Sequence, residues 1–328
     1  MSAAAPTGAA TTGAATTGAG PTAARTTDAR TTGLVGRLRA WRPPAPPLPP
    51  ELADRVGPAD PEWFARELAV AVAPTWWFWR FALGRLAWVP LAFGRLQVTG
   101  GVPAELRDGP LLLAVNHVGD FDPFLVGVAL YRAGVRPRFL VKSGVMAFPV
   151  VGALLERSGC IRVERGTELA GHAVLVTEVA LAAGGHVVAY PEGRVGLTGD
   201  GWPERGRTGM ARMALAAGVP VVPVSQWGAH EVVQYGLGWG KVRTLLTALW
   251  RQPALRVHIG PPVDFSDLRP GRLGDANRAR IRIDAALTRG LAPLRAGEPT
   301  DRIAHADPTR PTTARAAFPG GVVPPEVP

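Results

Sequence analysis

Residues 110–123 read PLLLAVNHVGDFDP. Five apolar residues follow one another between Pro110 and Asn116 with no polar interruption. A strand with one wet face would alternate, so 110–116 predicts a strand covered on both faces. Pro123 suits the first turn of a helix, where its missing N–H costs nothing. A covered strand that turns within a few residues into a helix is the repeating unit of an α/β sheet.

The same alternation extends along the chain. Apolar runs at 138–142, 160–164, 186–190, 219–225 and 255–259 predict five more strands, and helical patterns occupy 123–133, 146–157, 167–183, 206–217 and 275–292. The expectation is an α/β domain with a largely parallel central sheet flanked by helices. In 219–225, VPVVPVS, two prolines point to an edge or irregular strand, because proline cannot donate to a ladder, with a core strand bearing turn signals as the alternative.

Outside this region the composition changes. Residues 1–33 are almost entirely Ala, Thr, Gly and Pro, and 43–50 read PPAPPLPP. Such segments bury too little apolar surface to offset their ordering entropy, so 1–57 is expected to be a disordered, Pro-rich lead and 296–328 a disordered tail. Between them, 58–100 is expected to form membrane-interface helices and 101–295 the main domain. The stretch 62–95 is the most apolar of the chain, yet Arg80 and Arg85 interrupt it and Pro74 and Pro90 break its helical pattern. Trp76, Trp77, Trp79 and Trp88 suit a headgroup layer, which favours a kinked hairpin dipping into one leaflet over a full span.

The net charge of +10 calls for an anionic partner, such as a phospholipid surface or a phosphorylated substrate. Nucleic acid is not expected, since the Trp residues cluster near the front, away from Arg-rich strands. Cys160 is the single cysteine, so neither an internal disulfide nor a cysteine zinc site is available. The N-terminus shows no charged start leading into an apolar run, and the chain is expected on the cytoplasmic side, peripheral or monotopic on the membrane.

In α/β sheets active sites collect where strands end. His117 leaves the first strand directly and Asp122 follows five residues later, just before Pro123. A carboxylate folded back across so tight a turn can fix one imidazole nitrogen and leave the other to take a proton from a hydroxyl. Asp122 also suits a helix N-cap, and Asp120 is a rival carboxylate. A second strand end carries Tyr190-Pro191-Glu192-Gly193-Arg194, which displays Glu192 in a sharp turn. Downstream, Arg205-Gly206-Arg207-Thr208-Gly209 precedes a helix and makes a reasonable anion site. A third strand end carries Arg162-Val163-Glu164-Arg165.

Taken in order, these blocks resemble the glycerophospholipid acyltransferase family, the lysophosphatidate acyltransferases in particular. The family's Asn-His-x-x-x-x-Asp block is matched by Asn116, His117 and Asp122, and its strand-ending arginine by Arg165. Its Phe-Pro-Glu-Gly-Thr-Arg-Ser block is matched by Tyr190, Pro191, Glu192 and Gly193, and its Val-Pro-x-x-Pro-Val block by Val219, Pro220, Pro223 and Val224. The resemblance covers roughly residues 62–290, and 202–228 looks especially like actinobacterial members. It departs after Gly193, where Arg194, Val195 and Gly196 stand in place of Thr-Arg-Ser.

The resemblance implies acyl transfer from acyl-CoA or acyl-carrier protein to the hydroxyl of lysophosphatidate, giving phosphatidate, with no cofactor and no metal. His117 is the implied base and Asp122 its orienting partner. Asn116, Arg165, Glu192, Gly193, Arg194, Arg205 and Arg207 are the expected substrate-binding residues. Another lysophospholipid or glycerol-3-phosphate would use the same pair, and a lipid-binding protein without turnover is the remaining alternative. A serine hydrolase is disfavoured because G-x-S-x-G is absent, and a dinucleotide enzyme because Gly236–Lys241 lacks the G-x-G-x-x-G spacing.

Overall fold

The structure, a computed structural model, describes residues 61–75, 88–164, 170–196, 201–233 and 239–297. The lead 1–57, most of the tail 296–328, the centre of the apolar stretch 62–95 and Arg165 lie outside the described residues. The strands are β1 (Arg95–Gly100), β2 (Leu111–Val115), β3 (Pro137–Lys142), β4 (Ile161–Val163), β5 (His186–Ala189), β6 (Val221–Trp227) and β7 (Ala254–Ile259). The helices are α1 (Pro61–Val72), α2 (Trp88–Leu91), α3 (Asp122–Arg132), α4 (Ser143–Met146), α5 (Pro149–Arg157), α6 (Ala170–Ala182), α7 (Thr208–Ala217), α8 (Ala229–Val232), α9 (Trp239–Arg251) and α10 (Asp275–Leu291).

The seven strands lie in the order β1-β7-β6-β2-β5-β3-β4. β6, β2, β5, β3 and β4 are mutually parallel. β7 runs antiparallel to β6, and β1 is parallel to β7, so these two strands are reversed. The sheet is mixed and mostly parallel.

All five residues of β2 are buried, which explains their unbroken apolar run. Leu111, Leu113 and Val115 face a layer that includes Leu125, Val126 and Ala129 of α3. Leu112 and Ala114 face the opposite layer, built by α1, α6, α7 and α10. The two-residue period of a strand thus feeds two separate cores from one segment.

Two expectations are corrected. The helical segment expected up to residue 100 ends earlier, because Arg95–Gly100 form β1. This edge strand has mostly exposed side chains and pairs only with β7, so it carries none of the apolar patterning that marks the inner strands. The proline-bearing strand is not an edge: β6 is wholly buried between β7 and β2. Pro223 is accommodated because it lies past the last β6–β7 ladder pair, Val224 with Ile259. Its carbonyl accepts the Gly260 N–H at 2.9 Å, and its missing N–H points to the same side, where β7 has ended.

Helix α1 is held to the sheet by a buried arginine. Arg138 on β3 donates from Nη2 to the Ala73 carbonyl at 2.7 Å and from Nη1 to the Val70 carbonyl at 3.3 Å. These are orphan carbonyls of a helix C-terminus, which need a donor. Burial lowers the Arg138 pKa to about 10, still well above neutrality, so the guanidinium keeps its charge. Replacing Arg138 with Ala leaves both carbonyls unsatisfied and a cavity behind. The expected cost is about 2–4 kcal/mol, seen as a lower urea midpoint with an unchanged slope.

Candidate active site

Strand β2 delivers its last residues to the rim where β5 and β6 also end, since all three are parallel. Asn116 is fully buried there. Its side-chain oxygen accepts the Gln226 N–H at 2.7 Å, its amide donates to the Gln226 carbonyl at 3.0 Å, and the Gln226 amide donates to the Asn116 carbonyl at 3.2 Å. Asn116, expected among the substrate contacts, instead fastens the ends of β2 and β6 and fixes where the chain leaves the sheet.

His117 follows, partly exposed, and Asp122 is wholly buried. Asp122 does not cap its helix: it is the first residue of α3, behind Phe121 as N-cap. Its Oδ2 reaches back to His117 Nδ1 at 2.8 Å and accepts the Val118 N–H at 2.7 Å. A carboxylate at a helix start is also favoured by the positive end of the helix dipole. Asp120 is excluded as the partner, because it forms a close ion pair with Lys241 of α9. The Tyr190 ring stacks on the imidazole, 4.2 Å between centroids and 25° between planes. The Tyr190 hydroxyl and Asp122 Oδ1 are buried without a partner among the described residues. Burial, and secondarily Asp122, raises the Tyr190 hydroxyl well above its ordinary range, so it stays protonated.

Glu192 sits in the turn after β5 and is buried. Its Oε1 accepts the His117 N–H at 2.9 Å and its Oε2 the Glu204 N–H at 2.9 Å. Two glycines make this possible. Gly193 has φ +71°, and Arg207 Nε lies 3.3 Å from where a β-carbon on it would stand. At Gly196 a β-carbon would stand 2.9 Å from Glu192 Oε2, while the Gly196 N–H donates to the His117 carbonyl at 2.7 Å.

The loop before α7 is pinned by its backbone. Besides Glu204, the Gly206 N–H donates to Asp284 at 3.2 Å and the Arg207 N–H to the Pro191 carbonyl at 2.8 Å. Arg207 therefore stands, exposed, over the Glu192–Gly193 turn. Arg205 is exposed on the same loop. Arg194 is different: Nε and Nη2 both reach Glu204 Oε2, at 3.1 and 2.9 Å, and Glu204 is buried. The arginine that stands early in its block is thus engaged in a half-buried ion pair within the loop. Sequence reasoning assigned no role to Tyr190, Gln226, Glu204 or Gly196. Polar residues at the ends of apolar runs were the available signal for Gln226.

Among the described residues, no three His, Cys, Asp or Glu side chains converge as metal ligands. A hollow of about 640 Å³ opens at the opposite rim, between Pro223, His258 and α10, and shares no residue with this site.

Residues 95–227 match the family model described as Acyltransferase, a span that holds His117, Asp122, Glu192 and Arg207. Over that span the chain is similar to the acyltransferase family. Over 152 residues it is 32% identical to uncharacterized proteins of Mycobacterium bovis and Mycobacterium tuberculosis. That match takes in 42% of this chain and 38% of each relative, so the chain spans little more than a third of the length of the curated relatives it matches. The fold is similar to the crystal structure of the 1-acyl-sn-glycerophosphate (LPA) acyltransferase PlsC from Thermotoga maritima. The TM-score is 0.50 at 20% identity, over 76% of this chain and 88% of that one.

The buried carboxyl of Glu192 yields a prediction. Burial pushes it up to about 8, against the pull of the His117 and Glu204 N–H groups, and Glu204 and Asp122 add to the rise. The folded state therefore holds a proton that the unfolded chain releases above its ordinary value of 4.5. This contribution to stability is whole below that value and is lost as pH rises through about 8. Glu192→Gln removes the titration. Wild type should lose stability relative to that variant from about pH 5 to about pH 9, read from urea midpoints. A difference that stays constant with pH would mean that the folded carboxyl is already ionised.

Proposed function

We propose that this protein moves a fatty acyl group from acyl-CoA or acyl-carrier protein to the free hydroxyl of lysophosphatidate, giving phosphatidate. It works at the cytoplasmic face of the membrane. The observation that carries the reading is the His117 Nδ1 contact with buried Asp122 Oδ2 at 2.8 Å. With Nδ1 so held, the tautomer is fixed and Nε2, which has no partner among the described residues, presents its lone pair. Tyr190 keeps the ring from tilting.

In this mechanism the acceptor oxygen attacks the thioester carbon while its proton passes to His117 Nε2. The tetrahedral intermediate then collapses, the carbon–sulfur bond breaks, and the departing sulfur takes the proton back. Asp122 stabilises the imidazolium in between. No acyl-enzyme is required. The acceptor phosphate is held by Arg207, an exposed arginine beside the Glu192–Gly193 turn at a helix start, with Arg205 and Arg165 as further contacts. Glu192, largely protonated at neutral pH, adds no net repulsion to that phosphate.

The test is transfer of labelled oleoyl groups from CoA or acyl-carrier protein to lysophosphatidate, glycerol-3-phosphate and other lysophospholipids, by the full chain in detergent micelles. His117→Ala and Asp122→Asn should each lower kcat by about 10²–10⁴-fold with the fold retained. Labelling of a different acceptor would replace only the substrate. A folded wild type that transfers to nothing would leave a lipid-binding protein as the reading. Arg207→Ala should raise KM for lysophosphatidate by about tenfold or more, yet leave transfer to a monoacylglycerol, which lacks the phosphate, unchanged. An equal loss on both acceptors would remove Arg207 from the phosphate site.

A further inference from the structure

Helix α9 is amphipathic in the wrong sense for a surface helix. Such a helix normally turns its apolar stripe to the core and its charges to water. Here the only buried residue is Ala248, and the partly buried side holds Lys241, Thr244 and Leu245, of which only Leu245 is a large apolar residue. At 3.6 residues per turn, Trp239, Leu246 and Trp250 lie along one line on the opposite side, and Val242 and Leu249 flank it. Trp239 is 86% exposed, Leu246 55% and Trp250 89%.

The polar residues are as selective as the apolar ones. Lys241, Arg243 and Arg251 are the charged residues of α9, and it carries no Asp or Glu. Lys241 pairs with Asp120 and Arg251 approaches Glu231 at 3.9 Å, while Arg243, beside the apolar line, has no carboxylate partner among the described residues. Tryptophans at both ends of an apolar stripe, with the cation Arg243 beside it, match the layering of an anionic bilayer surface, with apolar below and phosphate at the edge. The Lys241–Asp120 pair also ties α9 to the turn that begins at His117.

We propose that α9 is a membrane-docking helix, separate from the apolar N-terminal stretch, that lies in the plane of an anionic phospholipid surface through Trp239, Val242, Leu246, Leu249 and Trp250. This rests on the reading of the protein as one that works on lipid, and it adds which face meets the bilayer. Docked in this way, the helix brings the His117 rim close to the headgroups, where a lysophospholipid hydroxyl resides.

The experiment places an environment-sensitive NBD label at Leu246→Cys in the full chain and adds vesicles of POPC with 30% POPG. The expected result is a blue shift with a fluorescence gain of about threefold or more, quenched by brominated lipid, and a weaker response to POPC alone. In the same vesicles Trp239→Ser/Trp250→Ser should reduce the bound fraction by about fivefold or more at limiting lipid. Activity in detergent micelles is measured alongside. Its absence in wild type with the NBD response intact would sink the catalytic reading and leave the docking face standing. An unshifted label on chains that do bind the vesicles would overturn the proposal. A blue shift without lipid that grows with protein concentration would overturn it too, by assigning the face to a second copy of the chain.

Discussion

A single carboxyl group, that of Glu192, joins three segments far apart in sequence. It lies in the turn after β5, receives the His117 N–H from the end of β2, and receives the Glu204 N–H from the loop that leads into α7. Around it the Gly196 N–H closes on the His117 carbonyl and the Arg207 N–H on the Pro191 carbonyl. Backbone groups rather than mobile side chains therefore set the spacing between the imidazole and the basic loop. Such a site reproduces its geometry without ordering long side chains, which would cost conformational entropy.

The same arrangement divides the arginines of this region by task. Arg194 is spent on Glu204, whose buried carboxylate would otherwise stand uncompensated next to Glu192. Arg207 stands over a glycine that has no side chain to obstruct it. One cation neutralises the wall and the other faces outward, so an arginine displaced by one position in the sequence leaves a basic group at the rim.

Strands β2, β5 and β6 were legible because each is buried along its whole length and so reads as a near-continuous apolar run, and β3, β4 and β7 showed shorter runs of the same kind. β1 was not legible, because an edge strand that pairs on one side and exposes most of its residues carries no such run. His117 and Asp122 were legible as a pair from the five-residue spacing across a strand-to-helix turn, although Asp122 doubles as neither cap nor surface charge. The interior place of β6 was hidden by Pro223, whose tolerance depends on where β7 stops, a fact of tertiary pairing. Asn116 looked like a ligand contact because an asparagine beside the candidate base His117 says nothing of the strand it will meet. Its partner Gln226 lies 110 positions away. The position of Arg207 over Gly193 likewise needs the β5 turn and the α7 loop to be folded together.

The reversal of β7 has an architectural consequence. A chain that leaves one parallel strand and enters another must carry its connection across the whole length of the sheet, and the connecting helix then becomes part of the wall. β6 ends and β7 begins at one rim, so residues 228–253 form an excursion that departs and returns on the same side. Nothing obliges that excursion to roof the strands. Its length can vary without changing the order of the sheet, while Ala229, Val232 and Ala248 anchor it in the core and Lys241 ties it to Asp120 in the turn after His117.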